Sequence, residues 1–546
     1  LITLTFVAIV LAALLAHVAG GATGDSGALA RTLASRAVVA AVFALTFVAL
    51  WMSWAAWNPI PVVHDEMAYV LQAQIFARGI WALPSPPLPD FWAQPHVLVE
   101  PALAAKYFPG HALLLTPGAL LGWPALMPLV LQSTIGALLY VLARRVASGA
   151  VALLAWIIWL TSPMVLYFGP TYFSESTTTV CWLAGWYALL EWRDRRELGW
   201  LLALALFTGW DAITRPLTGL AYAIPVGIVV LRDVIVLRRW RDLGLACAVG
   251  ILVLGILPLW SARTTHDWRV TPLTLYTRMY MPYDVPGFGL DTTPPSHAVT
   301  PDLYELNRTY SYMHINHHVS ALRSTFLTRA HDLSISIWAV SRGVLVVFAV
   351  LGLLTLNGAT AFAVLSGVWL LVAYLVYGTP PAWTLYYYET VPAFAYLTAA
   401  GFAWAVSMIG RPRGAVPTPT SHWRSQRWSL ALTVAAVVLV LPGLTALRTI
   451  RGQHVGDRKF LTRFDKLLSS IHDPKAVVFV RYATTHNPHV TFVRNVANPE
   501  AEHIWVVYDR GDAENARLLT LAPARKAYLF DERHGQTYSY TPVVAK

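Results

Sequence analysis

The chain has 546 residues, 56% of them apolar and 13% charged, with a net charge of +11 and a mean hydropathy of +0.52. A soluble globular chain carries about a quarter charged residues, so that class is excluded. The basic excess is mostly Arg in short loops between apolar runs, neither one basic face nor a nucleic-acid-binding motif, which excludes a nucleic-acid partner.

Long stretches without Asp, Glu, Lys or Arg are what hydrocarbon demands. Apolar runs long enough to cross lie at 1–20, 37–57, 112–143, 149–167, 174–192, 198–214, 216–231, 243–260, 334–356, 359–377, 390–409 and 428–447, most of them free of charge, which predicts eleven to twelve spanning helices. The run 112–143 is broken by Pro117 and Pro124 into an interfacial piece and one crossing, and Pro216 separates two spans. Residues 1–20 have no basic leader and no clear cleavage pattern, so they are expected to remain as a helix and not to be removed as a signal peptide. The 23 tryptophans suit anchors at the headgroup level. Cys181 and Cys247 both lie in apolar runs and are expected to be small buried hydrophobes, without a disulfide.

Loop charge sets the orientation. Segments 21–36, 144–148, 193–197, 232–242 and 411–427 hold fifteen Lys or Arg, against three (Arg78, Lys106, Arg215) in the short segments of the other side. The arginine-rich side is therefore expected in the cytoplasm. Loops 58–111 and 261–333 and the tail from 448 then face outward. The fold class expected is an α-helical polytopic membrane protein over 1–447, followed by a small α/β extracytoplasmic domain over 448–546. In that tail 460–471 reads as helix, 476–482, 489–494, 503–508 and 526–530 as strands, and Asp512 as the cap of a short helix. No internal repeat is present.

The stretch Val63-His64-Asp65-Glu66 follows the second span and precedes residues 67–78, which have amphipathic spacing. Two adjacent carboxylates at a membrane exit need water, a cation or a substrate. The plainer alternative has Asp65 capping the helix and Glu66 complementing its dipole. His64 beside Asp65 offers a divalent cation two ligands, too few for a signature, and any cofactor is left open. Asp211 and Arg215, at i and i+4, are expected to pair. Loop 261–333 is rich in aromatics and His (Tyr276, Tyr280, Tyr283, Phe288, Tyr304, Tyr310, Tyr312, His314, His317, His318), which suits either a sugar-binding lid or packing on the membrane surface.

Asp65-Glu66, then Lys106-Tyr107-Phe108-Pro109-Gly110-His111, Ser162-Pro163, Ser174-Glu175, Thr214-Arg215-Pro216, and Tyr386-Tyr387-Tyr388-Glu389 with Pro392 follow one another in order. Together they resemble the GT-C glycosyltransferases, in the branch of the protein O-mannosyltransferases and the lipid A aminoarabinose transferase. The likeness spans roughly residues 50–410, with Tyr where the late motif commonly has Arg. It implies inverting transfer of a sugar from a polyprenyl-phosphate donor to a glycan, lipid or protein acceptor, at the outer face of a bacterial inner membrane. By that resemblance Asp65 is the catalytic base, with Glu66 beside it. Lys106, His111, Glu175, Arg215, Arg263, Tyr388 and Glu389 would contact the substrate or its phosphate. Three of them have a plainer role: Lys106 snorkelling, His111 at the interface, Glu175 at a helix start. Competing functions are a transporter or flippase of lipid-linked sugars, disfavoured by the missing repeat, and a scaffold displaying the tail.

Overall fold

The structure is a computed structural model that describes residues 10, 26–290, 293–409 and 429–542. The run 1–20 and the segment 411–427 therefore lie outside the described residues, apart from residue 10. The other eleven apolar runs are helical. Among the described residues, seven helices are long and apolar enough to cross a membrane: Arg36–Trp54, Leu126–Val146, Pro216–Leu237, Trp240–Thr265, Gly358–Val376, Thr384–Met408 and Leu430–Asp457. Gly149–Leu160, Leu198–Ala212 and Val344–Thr355 are shorter apolar helices, and Glu175–Arg195 covers the run 174–192. The chain is a helical, multi-pass membrane protein. The breaks fall at the prolines, with Pro109–Leu120 ending before Leu126–Val146.

Local sequence explains the ends. Ser35 accepts from Val38 N at 3.4 Å and Ser148 from Val151 N at 3.3 Å, each satisfying a donor that a helix start leaves free. The interior packs around Trp159, Trp182, Trp192 and Trp260, all fully buried, while Ile228, Val236, Ile251 and Leu252 point outward as lipid contact allows. Gly401 lets two helices touch, because a Cβ there would collide with the Phe348 carbonyl. Cys181 is buried, but Cys247 faces outward on Trp240–Leu254, where an apolar thiol meets lipid as readily as protein.

One end gathers arginines. Arg145 bridges Glu191 and Asp194, both at 2.5 Å, Arg193 Nε meets Asp233 at 2.8 Å, and Arg144 donates to Ala34 O at 2.7 Å. Four of the five basic segments thus meet there. An apolar cavity of about 330 Å³ opens on the same side, with Leu139, Leu183, Phe362, Tyr396, Arg193 and Arg232 among its walls.

The three loop regions share the opposite end. Loop 58–111 carries helix His64–Ala77 and a small antiparallel sheet, β1 (Leu83–Pro84), β2 (Val97–Leu98) and β3 (Ala102–Ala105), in the order β1-β3-β2. Helices Pro272–Tyr280 and Pro301–Ile315 come from the second loop. The tail forms helix Lys459–Ser469, strands β4 (Ala476–Arg481), β5 (Ile504–Tyr508), β6 (Lys526–Asp531) and β7 (Gln536–Ser539), and helix Asp512–Leu521. Its sheet runs β5-β4-β6-β7, parallel but for β7. Residues 489–494 are not a strand: Phe492 N donates to Tyr482 Oη at 3.0 Å, and Arg494 makes only one isolated bridge, to Val506. Gly511, not Asp512, precedes the short helix as its cap.

These regions share their cores. Met67 and Ala93 pack with Phe464, Val478, Phe492 and Phe530, and Phe91 and Trp92 with Val477, Phe479 and Val507. Asn495 donates to Trp92 O at 2.8 Å, and Tyr508 Oη to both Asp302 carboxylate oxygens at 2.6 Å. The tail and both loops are therefore assembled as one body over the helix ends.

Candidate functional site

Helix His64–Ala77 begins with Val63 at its cap, so His64, Asp65 and Glu66 fill the first turn. Asp65 does not cap. Glu66 does the helix-start work: its Oε2 accepts from Val62 N at 3.0 Å and Val63 N at 3.1 Å, and its Oε1 from Tyr172 N at 3.0 Å. Burial pushes its carboxyl above the ordinary range, and the three N–H donors pull it back. Glu66 thus braces the first loop against the turn before Glu175–Arg195, while the Asp65 carboxylate turns toward Tyr107.

Asp65 points elsewhere. Its side chain is 28% exposed and its Oδ1 accepts from Tyr107 Oη. Oδ2 faces His64 Nε2 at 3.2 Å and His96 Nε2 at 3.7 Å. The two imidazoles lie edge to face with centroids 4.3 Å apart, and His489 from the tail stacks on His64 at 5.9 Å. Burial pushes His64 down to about 4 and His96 well below the usual imidazole value, with Lys106 adding to both shifts. His489 is lowered too, again mainly by burial. Burial thus biases the imidazoles near Asp65 toward their neutral form.

His96 takes a costly conformation to get there. Its φ is +65°, a left-handed setting that costs a non-glycine residue about 1–3 kcal/mol and persists only when the surroundings over-determine it. They do: its N–H donates to Tyr276 Oη at 2.8 Å and its carbonyl accepts from Lys106 N at 2.9 Å. Lys106 is buried, with Nζ 2.8 Å from Asp284 Oδ2 and 5.3 and 5.2 Å from the ring centres of Tyr107 and Tyr276. It is therefore locked beside Asp65 and does not snorkel.

A second polar layer lies just inside the bundle. Arg215 pairs with Glu175 Oε1, donates to Tyr374 Oη at 2.9 Å, and sits 5.3 Å from the Tyr386 ring centre. Glu389 accepts from Thr178. Tyr69 joins the layers: its ring stacks on Tyr107 at 4.6 Å and meets His111 edge-on at 4.8 Å, and it lies in the field of both Asp65 and Arg215. His111 bridges Thr177 Oγ1 and Tyr172 O, both at 2.8 Å, as a buried strut. Gly110 brings two sequence motifs together. Its N–H donates to Ile213 O at 3.0 Å, and a Cβ there would collide with Thr214 Oγ1.

Three expectations change. The side chains of Asp211 and Arg215 do not pair: Arg215 N still donates to Asp211 O at 2.8 Å, but Arg215 is extended (φ −141°, ψ 93°) before the next helix and its guanidinium goes to Glu175. Both Asp211 carboxylate oxygens are buried without a hydrogen-bond partner among the described residues. Arg263 is exposed on Ile256–Thr265, with no hydrogen bond or ion pair to this cluster. Tyr388 turns into the bundle and donates to Gln132 Oε1 at 2.9 Å, packing the helix instead of facing the cluster. Of the aromatic loop, Tyr276 and Tyr280 are core with Met279 and Leu303, while Tyr304 and Tyr312 are exposed. His96, Asp284 and His489 were not foreseen. They lie in loops far from Asp65 in sequence, and no spacing marks them.

Residues 109–260 match the family described as dolichyl-phosphate-mannose-protein mannosyltransferase. No curated protein matches the chain. Among solved structures, ArnT from Cupriavidus metallidurans bound to undecaprenyl phosphate is similar with 14% identity and a TM-score of 0.49, over 91% of this chain and 93% of that one. The Archaeoglobus fulgidus oligosaccharyltransferase in its apo form is similar with 11% identity and a TM-score of 0.42, over 91% of this chain and 69% of that one. The segment that carries Gly110, His111, Glu175 and Arg215 is thus the one in which this chain resembles the membrane mannosyltransferases.

Proposed function

We propose that this protein transfers a sugar from a polyprenyl-phosphate donor to an acceptor hydroxyl, with inversion, at the loop-bearing face, which we place outside the cytoplasmic membrane of a bacterium. The observation that carries it is Asp65: a part-exposed carboxylate outside the spans, held by Tyr107, beside two buried imidazoles, with Lys106 close by.

Asp65 takes the proton from the acceptor hydroxyl as that oxygen bonds to the anomeric carbon. The bond from that carbon to the phosphate oxygen breaks on the opposite face, and the phosphate leaves with the electron pair. Lys106 and Arg215 stabilise that charge. Each has a carboxylate partner, Asp284 and Glu175, yet an ammonium has three N–H donors and a guanidinium five, so both keep donors to spare. The carboxylates hold the cations in place and keep the empty site from carrying excess positive charge. The prenyl tail stays in lipid, which explains a catalyst built on a helix bundle.

The test supplies purified protein with a polyprenyl-phosphate sugar pool and acceptors, and follows free lipid phosphate and sugar-bearing product. Protein-dependent release of lipid phosphate together with product is expected. Movement of the intact lipid-linked sugar across a vesicle, without phosphate release, would put a transporter in its place.

A further inference from the structure

His64, Asp65 and His96 each offer one ligand-type atom, and these atoms all lie within 4.8 Å of one another. A tetrahedral site with metal–ligand bonds of 2.0–2.1 Å has ligand-to-ligand edges of about 3.3 Å. Two of the three edges, 3.2 Å from Asp65 Oδ2 to His64 Nε2 and 3.7 Å to His96 Nε2, bracket that value. Three further observations point the same way. Both imidazoles are more than nine-tenths buried, with Nε2 of each turned toward the same Asp65 oxygen. The backbone of His96 is held in its left-handed setting by Tyr276 and Lys106, so its ring direction is fixed at a conformational cost. Tyr107 donates to the Asp65 oxygen that faces away from the imidazoles, the outer support that ligating carboxylates have in metal sites.

We propose that His64 Nε2, Asp65 Oδ2 and His96 Nε2 form a binding site for a divalent transition metal of zinc-like preference, with one coordination position open on the exposed side of Asp65. Two imidazoles and one carboxylate suit zinc or its first-row neighbours. Magnesium and calcium prefer shells of oxygen and are disfavoured. Three protein ligands with an open position is the arrangement of a catalytic site, not a closed structural one. Lys106, the nearest cation, is matched by Asp284 at 2.8 Å, so the site does not repel a metal ion outright. The catalytic consequence rests on the function proposed above: an ion there would bind the acceptor oxygen and make its hydroxyl more acidic. Metal binding itself needs neither donor nor acceptor.

The experiment uses the full chain, purified without a metal-affinity column, stripped with chelator, incubated with zinc sulfate and desalted. Elemental analysis is expected to find one zinc per chain. Cobalt(II) in place of zinc is expected to give the visible absorption of a tetrahedral or five-coordinate ion. Both signals should be lost in His64→Ala and in His96→Gln, the latter chosen to keep side-chain bulk, and retained in Glu66→Gln, whose carboxylate faces away. Thermal melting of each variant shows whether loss of the ion reflects loss of the fold. Zinc at the buffer blank in the parent protein, or unchanged binding in both folded histidine variants, overturns the proposal. The two ideas fail separately: transfer that needs Asp65 but proceeds in metal-free protein removes the ion alone, whereas bound zinc with Asp65-independent transfer removes the proposed base.

Discussion

Replacing Glu66 by Gln separates a brace from a catalyst. The Glu66 carboxylate is buried and accepts three backbone N–H groups, two on Oε2 and one on Oε1. A glutamine can place its carbonyl oxygen toward Val62 and Val63, but its NH₂ then meets the Tyr172 N–H donor to donor. One buried donor is left unpaired, at about 1–3 kcal/mol, and the remaining two bonds lose their charge assistance. The Tyr172 turn precedes Glu175, and Tyr172 Oη also donates to Pro59 O at 2.9 Å, so the loss loosens the seat of the first loop on the bundle. Glu66→Gln should therefore melt a few degrees below the parent in detergent, and Glu66→Ala, which strands all three donors, lower still. At a temperature where Glu66→Gln is folded, its transfer rate should stay within a few-fold of the parent. A variant that melts like the parent while transfer collapses would refute the brace and return Glu66 to the chemistry.

Asp302 gives a pH test. Burial raises its carboxyl above the ordinary value, against hydrogen bonds from Thr300 and Tyr508. The folded chain then binds more protons than the unfolded one above about pH 3.9, so this contribution to stability is full below that value and lost as pH rises through the raised value. Asp302→Asn should remove that slope, making the loss of melting temperature on going from acidic to neutral buffer smaller than in the parent; identical pH profiles would contradict this. Asp211, buried with both oxygens unpartnered among the described residues, should tolerate Asp211→Asn with equal or higher melting temperature, and a large loss would reveal a partner it needs. For orientation, in protein with Cys247 replaced by Ser, a cysteine at Tyr312 should react with an impermeant reagent on intact cells and one at Arg195 should not; the reverse pattern would invert the topology.

The helical membrane class was written plainly in the sequence, because hydrocarbon tolerates almost no charge and each apolar run declares itself. The tail strands were legible where short apolar runs are rich in β-branched residues, at 476–481 and 504–508. Residues 489–494 misled, since Val490 and Val493 have strand character but their segment bonds to Tyr482 in place of a neighbouring strand. At the site, the pair Asp65-Glu66 stood out, yet only the first turn of the helix shows that the two carboxylates diverge, one to Tyr107 and one to Tyr172. The Asp211–Arg215 spacing keeps its backbone bond, but the extended Arg215 sends its guanidinium to Glu175 instead. His96 reaches Asp65 through tertiary folding across loop 58–111, and His489 comes from the far end of the chain. Such convergence has no period for a sequence to display.

The central claim is that the Asp65 carboxylate is the base in sugar transfer, and Asp65→Asn tests it most directly. Asparagine keeps the size of the side chain and an oxygen to accept from Tyr107 Oη, so the first turn and the fold should persist. The measurement is the initial rate of lipid-phosphate release from a polyprenyl-phosphate sugar, for parent and variant at matched folded concentration. A loss of about 10²–10⁴-fold is the result predicted for removal of a positioned base. A variant that releases lipid phosphate as fast as the parent would contradict it.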